Sequence, residues 1–464
     1  DIIFDAGADI AVGSISSSGD SMGNIRLNAS GSITDAGDTN RDIVGSGLLI
    51  TAGTGIGSSV NSLETSIASL SSSSGAGGSN LSDADAITIT SVTVDTNRVG
   101  MDGTIGAQQS SQQGITGTSG DIDFIVETAS ITIDADINLT GSGNIVLTAT
   151  AGSITMGSST SAGTTSGYIH FTADQGGITS NDLTTTGGEI VISAQDDITL
   201  NNGTTSGGAG QVSVTSSAGN ITVASALDAG DGNITLSANQ SLTQNTSSAV
   251  STSSTGTITM TATAGSLTSN SNITTGGGNL SIEATAGALT LEATTNSSGG
   301  DLSVTSGTSS TLNGSLDSAG GALGVTTGSA FNLNGSMASD GGAITVTSGT
   351  DIISHADSTV SSSSTADTGT ISMTAANDLT ADQLSSDGNV TLTATNGSIT
   401  LNDTVGSESG TIASTANTTI TQAVGANIST AGAGDITMIS TTGAITLNAG
   451  TATTGTGNID ITAT

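Results

Sequence analysis

The chain has 464 residues and a formal net charge of −36 at pH 7, with three arginines, no lysine and 39 acidic residues. Nucleic-acid binding is excluded because no basic surface exists to neutralise phosphates, and binding to an anionic membrane surface is disfavoured for the same reason. The sequence has no proline, cysteine or tryptophan and contains four phenylalanines and one tyrosine, so a core must be thin and built from small aliphatic side chains.

Residues 1–50 contain short runs in which aliphatic and polar residues alternate, as at 9–12 and 23–27. Alternation at period two places the aliphatic side chains on one face of a β-strand. We therefore predict β-helix coils with weaker periodicity for this part of the chain.

Residues 51–119 are less regular. The aliphatic residues within 60–70 have a helix-like spacing, and Asn61 and Glu64 fit a capping box. This pattern is compatible with one or two helical turns, or with a strand over 67–71. We predict irregular, insertion-bearing coils here.

Two stretches of low complexity lie in the same region. Residues 71–80 are rich in serine and glycine, and residues 108–113 are rich in glutamine, so both are predicted to be loops. Between them, 87–94 alternates isoleucine, valine and threonine in the manner of a strand.

From 120 to 464 the sequence repeats a single pattern, of which 388–401 is a clear copy. Two alternating runs begin at Val390 and Ile399, and Asn396-Gly397 between them is a pair that tolerates the positive φ of a sharp turn. The leading aliphatic residue of successive copies runs from Ile122 to Ile459 in fifteen intervals, with a mean near 22.5 residues. A fixed period of this size with strand and turn chemistry is typical of a β-solenoid.

The predicted fold class is therefore all-β, a right-handed parallel β-helix of about 22 residues per coil with two or three strands per coil. About fifteen regular coils are expected over 120–464. No hydrophobic segment approaches the length of a transmembrane helix, so membrane insertion is not expected.

The sequence does not predict an enzyme. Parallel β-helices that cleave polysaccharides need a basic residue beside clustered carboxylates, or two carboxylates that flank a sugar bond. No lysine or arginine follows Arg98, so a lyase-type base is missing from the regular region. A polysaccharide-active enzyme is kept only as a distant third hypothesis.

Three pairs of aspartates are spaced as possible Ca²⁺ ligands. Aspartate is also a common residue of turns and strand ends, and the glycine-rich calcium repeat is absent, so we predict no metal site, cofactor or catalytic residue. The pairs lie at Asp83 and Asp85, Asp121 and Asp123, and Asp134 and Asp136. His170 and His355 are interpreted as isolated surface histidines.

Threonines recur on the outward face of the strands, as at Thr257, Thr259, Thr391 and Thr393. Regular hydroxyl rows can match a crystalline ligand such as ice, although threonine is also a favoured residue on any exposed strand face. An exposed face that binds glycan, ice or mineral is the alternative function.

The units of the form G-N-I-x-L-x-A and A-G-S-I-T-L resemble those of filamentous-haemagglutinin-like exoproteins, as does Gly55-Ile56-Gly57 followed by Leu63-Glu64-Thr65 and a serine-rich strand. The resemblance implies a long right-handed β-helix, export to the surface or surroundings of a Gram-negative bacterium, and roles in adhesion, biofilm or filament formation. The family's amino-terminal secretion domain, with its Asn-Pro motifs, has no counterpart in this proline-free sequence.

The first residues and the last ones, 458–462, both read as parts of repeats. We expect either a segment of a longer chain or ends that are covered by other copies. The leading hypothesis is an extracellular structural stalk or fibre subunit that stacks end to end, with host or matrix glycans as further possible partners.

Overall fold

The computed structural model describes residues 1–17, 22–37, 40–99, 101–364 and 368–464. They form a parallel β-solenoid of about 22 residues per turn and about 20 turns, which confirms the predicted fold class. The described residues contain no helix, and hence none that is long and apolar enough to cross a membrane. Each complete regular turn has three strands, where the sequence left two or three open; the right-handed winding stays a prediction.

The chain divides into two compact units, of which the first is Asp1–Asn233. Its strands form three parallel ladders, and Ile43–Ala52 and Leu63–Ser74 each run from the third ladder into the first. The other strands of the first ladder are Ile2–Ala6, Ile25–Ala29, Ile115–Gly117, Ile137–Leu139, Ser161–Thr164, Asp182–Thr185, Thr204–Ser206 and Leu227–Asp228. The second ladder contains Ile10–Val12, Ile33–Asp35, Gly55–Ile56, Gly78–Asp83, Ile122–Val126, Ile145–Ala149, Ile169–Ala173, Ile190–Ala194 and Val212–Ser216. The third adds Ile15–Ser16, Ile87–Ile89, Ile131–Ile133, Ile154–Met156, Ile178–Ser180, Ile198–Leu200 and Ile221–Val223.

The second unit, Ile234–Thr464, is likewise built from three ladders. Its first ladder contains Val250–Ser251, Ile273–Thr274, Thr295–Asn296, Ser315–Asp317, Ser336–Ala338, Thr359–Ser361, Gln383–Ser386, Val405–Ser407, Ile428–Thr430 and Thr451–Thr453. Its second contains the five-residue strands Ile234–Ala238, Ile258–Ala262, Leu280–Ala284, Leu302–Ser306, Leu323–Thr327, Ile344–Ser348, Ile371–Ala375, Val390–Ala394, Ile412–Ala416, Ile436–Ser440 and Ile459–Ala463. Its third contains Leu242–Gln244, Leu267–Ser269, Leu289–Leu291, Ser310–Leu312, Phe331–Leu333, Ile352–Ser354, Leu379–Ala381, Ile399–Leu401, Ile420–Gln422 and Ile445–Leu447.

The core follows from the alternation along the strands. In Ile145–Ala149 the first, third and fifth side chains are buried, and the other two are half-buried on the outer face. The next turn repeats this register, so that Leu147 lies over Phe171 and like residues stack on like. Burying an aliphatic side chain contributes about 1.5–3 kcal/mol, and stacking satisfies the backbone hydrogen bonds of each turn through its neighbours.

Glycines before the five-residue strands mark a close approach between successive turns. A Cβ atom on Gly300 would lie 2.3 Å from the carbonyl oxygen of Gly278, and one on Gly321 would lie 2.1 Å from that of Gly300. Buried hydroxyl groups hold these carbonyls: Thr275 donates to Gly278 at 2.6 Å, and Ser297 donates to Gly300. This pairing explains why glycine and the hydroxyl residues recur together.

Gly397 illustrates the same constraint. Asn396-Gly397 is a pair that tolerates the positive φ of a sharp turn, yet Gly397 does not have a left-handed backbone. A Cβ there would instead lie 2.6 Å from the carbonyl oxygen of Asn377. Close packing against the previous turn, and not turn geometry, excludes a side chain at this position.

The region predicted to be irregular contains strands where loops were expected. The serine/glycine-rich stretch is shared by Leu63–Ser74 and Gly78–Asp83, and the glutamine-rich stretch lies in Ile105–Gln113. The last of these pairs antiparallel with Ser91–Val99 to form a hairpin outside the ladders. Pairing with neighbouring strands supplies the order that the composition does not.

The hairpin is fixed to the solenoid by a small apolar cluster. Val92 and Val94 are buried against Leu49, and Ile3 packs against the same cluster. Asn24 also donates a hydrogen bond to the carbonyl oxygen of Thr93 at 2.7 Å. The insertion therefore packs along the outside of the first turns.

Candidate metal centre

Three carboxylates converge at one corner of the first unit. Asp35 ends a strand of the second ladder, Asp42 immediately precedes the strand Ile43–Ala52, and Glu64 is the second residue of the strand that stacks on it. One carboxylate oxygen from each lies within 4.8 Å of the others. Asp42 is fully buried, Asp35 is 8 % exposed and Glu64 is half-buried. The fold therefore concentrates three negative groups away from bulk water.

The backbone holds Asp42 and Glu64 against each other. The Asp42 amide donates to the Glu64 carbonyl at 2.9 Å, and the Glu64 amide donates to Asp42 Oδ2 at 3.0 Å. Two other oxygens of this pair, Asp42 Oδ1 and Glu64 Oε2, are buried and accept no hydrogen bond. A buried carboxylate oxygen without a donor is costly unless a proton or a cation satisfies it.

The crowding of these carboxylates changes the pKa of Asp42. Burial, aided by the carboxyl group of Glu64 and the charge of Asp35, raises the pKa of Asp42 to about 7, against the hydrogen bond from the Glu64 amide, which lowers it. Neighbouring like charges favour binding of a positive species at such a site. Carboxylate oxygens are the ligands that Ca²⁺ prefers.

Asp83, the next buried acid along this corner, is different because all of its oxygens are hydrogen-bonded. Oδ2 accepts from Thr65 Oγ1 at 2.6 Å and from the Ile67 amide at 3.1 Å, and Oδ1 accepts from the Asp85 amide at 2.9 Å. Burial still raises the pKa of Asp83 to about 6, against these three donors. Asp83 therefore shapes a bend of the backbone and leaves no oxygen free for a ligand.

One arginine lies beside this group of acids. Arg41 forms a bidentate ion pair with Glu127, with N–O distances of 2.8 and 3.3 Å. Ser82 donates a hydrogen bond to the same carboxylate at 2.9 Å. The hydrogen bond with Glu127, aided by the charges of Asp83 and Asp85, raises the pKa of Arg41. The guanidinium group is thus held by Glu127.

In the other predicted acid pairs, aspartate side chains accept hydrogen bonds from backbone amides. Asp121 Oδ1 accepts from the Asn144 amide at 2.9 Å, and Asp136 Oδ1 accepts from the Ser161 amide at 2.8 Å. Burial and the charge of Asp121 raise the pKa of Asp123. Among the described residues, the three-carboxylate grouping is found at Asp35, Asp42 and Glu64, not at these pairs.

His170 faces outward as predicted but has partners. Its Nε2 lies 2.9 Å from Glu189 Oε1, and its ring stacks on Tyr168 with a centroid separation of 4.1 Å. Gln211 donates to the same Glu189 at 3.2 Å. Tyr168, Glu189 and Gln211 border an open groove of about 590 Å³ that also includes Asn144.

The remaining candidates occupy ordinary surface positions. His355 is exposed, and its amide donates a hydrogen bond to the Leu333 carbonyl of the preceding solenoid turn at 2.9 Å. Thr257 and Thr259 are half-buried and Thr391 is exposed, so the threonine face varies in exposure from turn to turn.

Sequence reasoning missed the carboxylate corner because Glu64 was assigned to a possible capping box. The available signal was its spacing: Asp42 and Glu64 lie 22 residues apart, which is one repeat. Comparison with protein-family models, curated proteins and solved structures found no match for this chain. Fold and site geometry therefore carry the functional argument.

Proposed function

We propose that the protein is a structural shaft, a stalk or fibre subunit whose role is mechanical. The observation that supports this most directly is the continuity of the parallel ladders within each unit, as in the pairing of Leu302–Ser306 with Leu323–Thr327 and then with Ile344–Ser348. In such a stack every turn is hydrogen-bonded to the next along all three ladders. Opening one turn breaks several of these bonds together.

The resemblance to filamentous-haemagglutinin-like exoproteins supports an extracellular or surface location on a Gram-negative bacterium, with a role in adhesion or biofilm. The net charge of −36 suits an exposed shaft because it favours solubility and repulsion between neighbouring copies. Labelling intact cells of the source bacterium with an antibody against this chain tests the location. Signal that appears only after lysis would contradict it.

Single-molecule pulling tests the mechanical role. A turn of about 22 residues releases about 75 Å of extended chain when it unravels, at roughly 3.4 Å per residue. The net gain in length is about 70 Å, because the folded turn already spans about 4.8 Å. A shaft should therefore lengthen in force-resisting steps that are multiples of about 70 Å. Smooth extension at low force would contradict the proposal.

We also propose that copies associate end to end. Phe4 in the first strand and Ile459 and Ile461 in the last lie in core register but are 41–46 % exposed, so a further turn or a second copy would bury them. Light scattering and electron microscopy should show concentration-dependent filaments that Ile461→Lys abolishes and the outward-facing Thr462→Lys preserves. Monomers at every concentration would refute association of this chain.

The groove beside Tyr168 favours a second function, binding of a glycan. An aromatic ring next to the carboxylate of Glu189 and the amide of Gln211 offers both a stacking surface and hydrogen bonds for sugar hydroxyls. A glycan array comparing the wild type with Tyr168→Ala tests this. Equal signals for both proteins, or a blank array, would remove it.

A further inference from the structure

We propose that Asp35, Asp42 and Glu64 form a divalent-cation site, with Ca²⁺ as the preferred ion. Three carboxylates converge here, and the Asp42 side chain among them is fully buried. Ca²⁺–oxygen bonds are about 2.3–2.6 Å long, so one ion can bridge oxygens that lie within 4.8 Å of one another.

The oxygen atoms of these carboxylates differ in their hydrogen bonds. Asp42 Oδ2 is satisfied by the Glu64 amide, whereas Asp42 Oδ1 and Glu64 Oε2 are buried without a donor. Asp83 at the same corner differs from them, because each of its oxygens accepts a hydrogen bond from the protein. The unsatisfied oxygens therefore point to a ligand that brings positive charge.

The location gives such an ion a structural consequence. Asp42 precedes a strand of one turn, and Glu64 lies in the strand that stacks on it in the next turn. A cation coordinated by both would cross-link successive turns through charge, in addition to the ladder hydrogen bonds. Because Ca²⁺ accepts six to eight oxygen ligands, water would complete the coordination shell.

Calorimetric titration of the full chain with CaCl₂, after treatment with a chelator, tests the site. We expect one stoichiometric event with a dissociation constant on the order of 10⁻⁵–10⁻³ M, the range of moderate to weak calcium sites, and weaker binding of MgCl₂. Glu64→Gln and Asp42→Asn should each weaken the event at least about tenfold.

Glu408→Gln is the matched control, since it removes one exposed carboxylate from the second unit and should leave the event unchanged. Circular dichroism checks that each variant is folded, and Asp35→Asn provides a third test if one variant is not. Ca²⁺ should also raise the melting temperature of the wild type more than that of Glu64→Gln.

Two results would overturn the proposal. One is the absence of a stoichiometric event in the wild type, which would mean that protons alone satisfy the carboxylates. The other is binding that all variants retain equally, which would mean diffuse attraction of Ca²⁺ to the acidic surface.

Discussion

The glycine column before the five-residue strands predicts that Gly321→Ala will open the solenoid locally. The added Cβ would lie 2.1 Å from the carbonyl oxygen of Gly300 and 2.5 Å from its carbonyl carbon. That carbonyl is itself held by the buried hydroxyl of Ser297, so it cannot turn away without losing a hydrogen bond. The two turns would have to separate by about 1 Å.

Overpacking a tight core costs about 1–3 kcal/mol. The upper value applies here because the added Cβ would clash with backbone atoms of Gly300 and not with a side chain. At 1.4 kcal/mol per tenfold change, about 3 kcal/mol corresponds to a loss of roughly 100-fold in hydrogen-exchange protection. This loss of protection should appear at the backbone amides of the strand Leu323–Thr327 and of the two strands that pair with it.

Gly324→Ala is the control, because Gly324 lies in the strand Leu323–Thr327, which begins two residues after Gly321. A Cβ at Gly324 has no neighbour within 4 Å, so this change should be neutral or should stabilise the protein by about 0.4–1 kcal/mol through the unfolded chain. If Gly321→Ala exchanges no faster than Gly324→Ala, the close approach of turns does not explain the repeated glycine.

Three further predictions concern buried side chains. Because burial raises the pKa of Asp83 from 3.8 to about 6, its stabilising contribution is complete below pH 4 and is lost as the pH rises through 6. Urea unfolding should show this loss, about 3 kcal/mol at 1.36 kcal/mol per pKa unit, as the difference between the wild type and Asp83→Asn; equal pH profiles would contradict it. Gln244→Leu removes hydrogen bonds to the Ser248 and Asn272 carbonyls and should cost about 1–3 kcal/mol in the same assay, whereas exposed Gln240→Leu should cost at most about 0.5 kcal/mol. Phe171→Ala empties a fully buried position and should cost about 3–5 kcal/mol, and a value near zero would mean that the core collapses around it.

The sequence predicted the second and third ladders well, because the first inward position of most of their strands carries isoleucine, leucine or valine. It left the number of strands per turn open because the first ladder has a weaker pattern. Thr204–Ser206 and Thr295–Asn296 contain no aliphatic residue at all. Their strand conformation comes from pairing with the turns on either side, which a local pattern does not encode.

The loops expected at 71–80 and 108–113 differ from the structure for a related reason. Serine, glycine and glutamine have weak local preferences, so their conformation is set by the strands that they meet. The serines of Leu63–Ser74 pair with Ile43–Ala52, and the glutamines of Ile105–Gln113 pair with Ser91–Val99. Composition therefore predicts little about segments whose conformation is set by pairing with other strands.

The carboxylate corner shows what a solenoid adds to the interpretation of a sequence. Residues one period apart become neighbours, so acids at that spacing meet unless other residues intervene. In the column that precedes the five-residue strands, Glu189 stacks between Tyr168 and Gln211, so no second acid lies against it. Neutral neighbours of this kind avoid repulsion between like charges.

Where acids do stack on acids, exposure to solvent separates two cases. Asp378 stacks on Asp351 through its amide, but Asp378 is exposed and water screens the repulsion. Asp42 and Glu64 stack in the same way, yet Asp42 is fully buried and has an oxygen without a donor. Water screens this second pair less effectively because Asp42 is buried, so a bound proton or a bound cation relieves the repulsion. The Ca²⁺ titration distinguishes these two, because only a cation site gives a stoichiometric event that Glu64→Gln weakens.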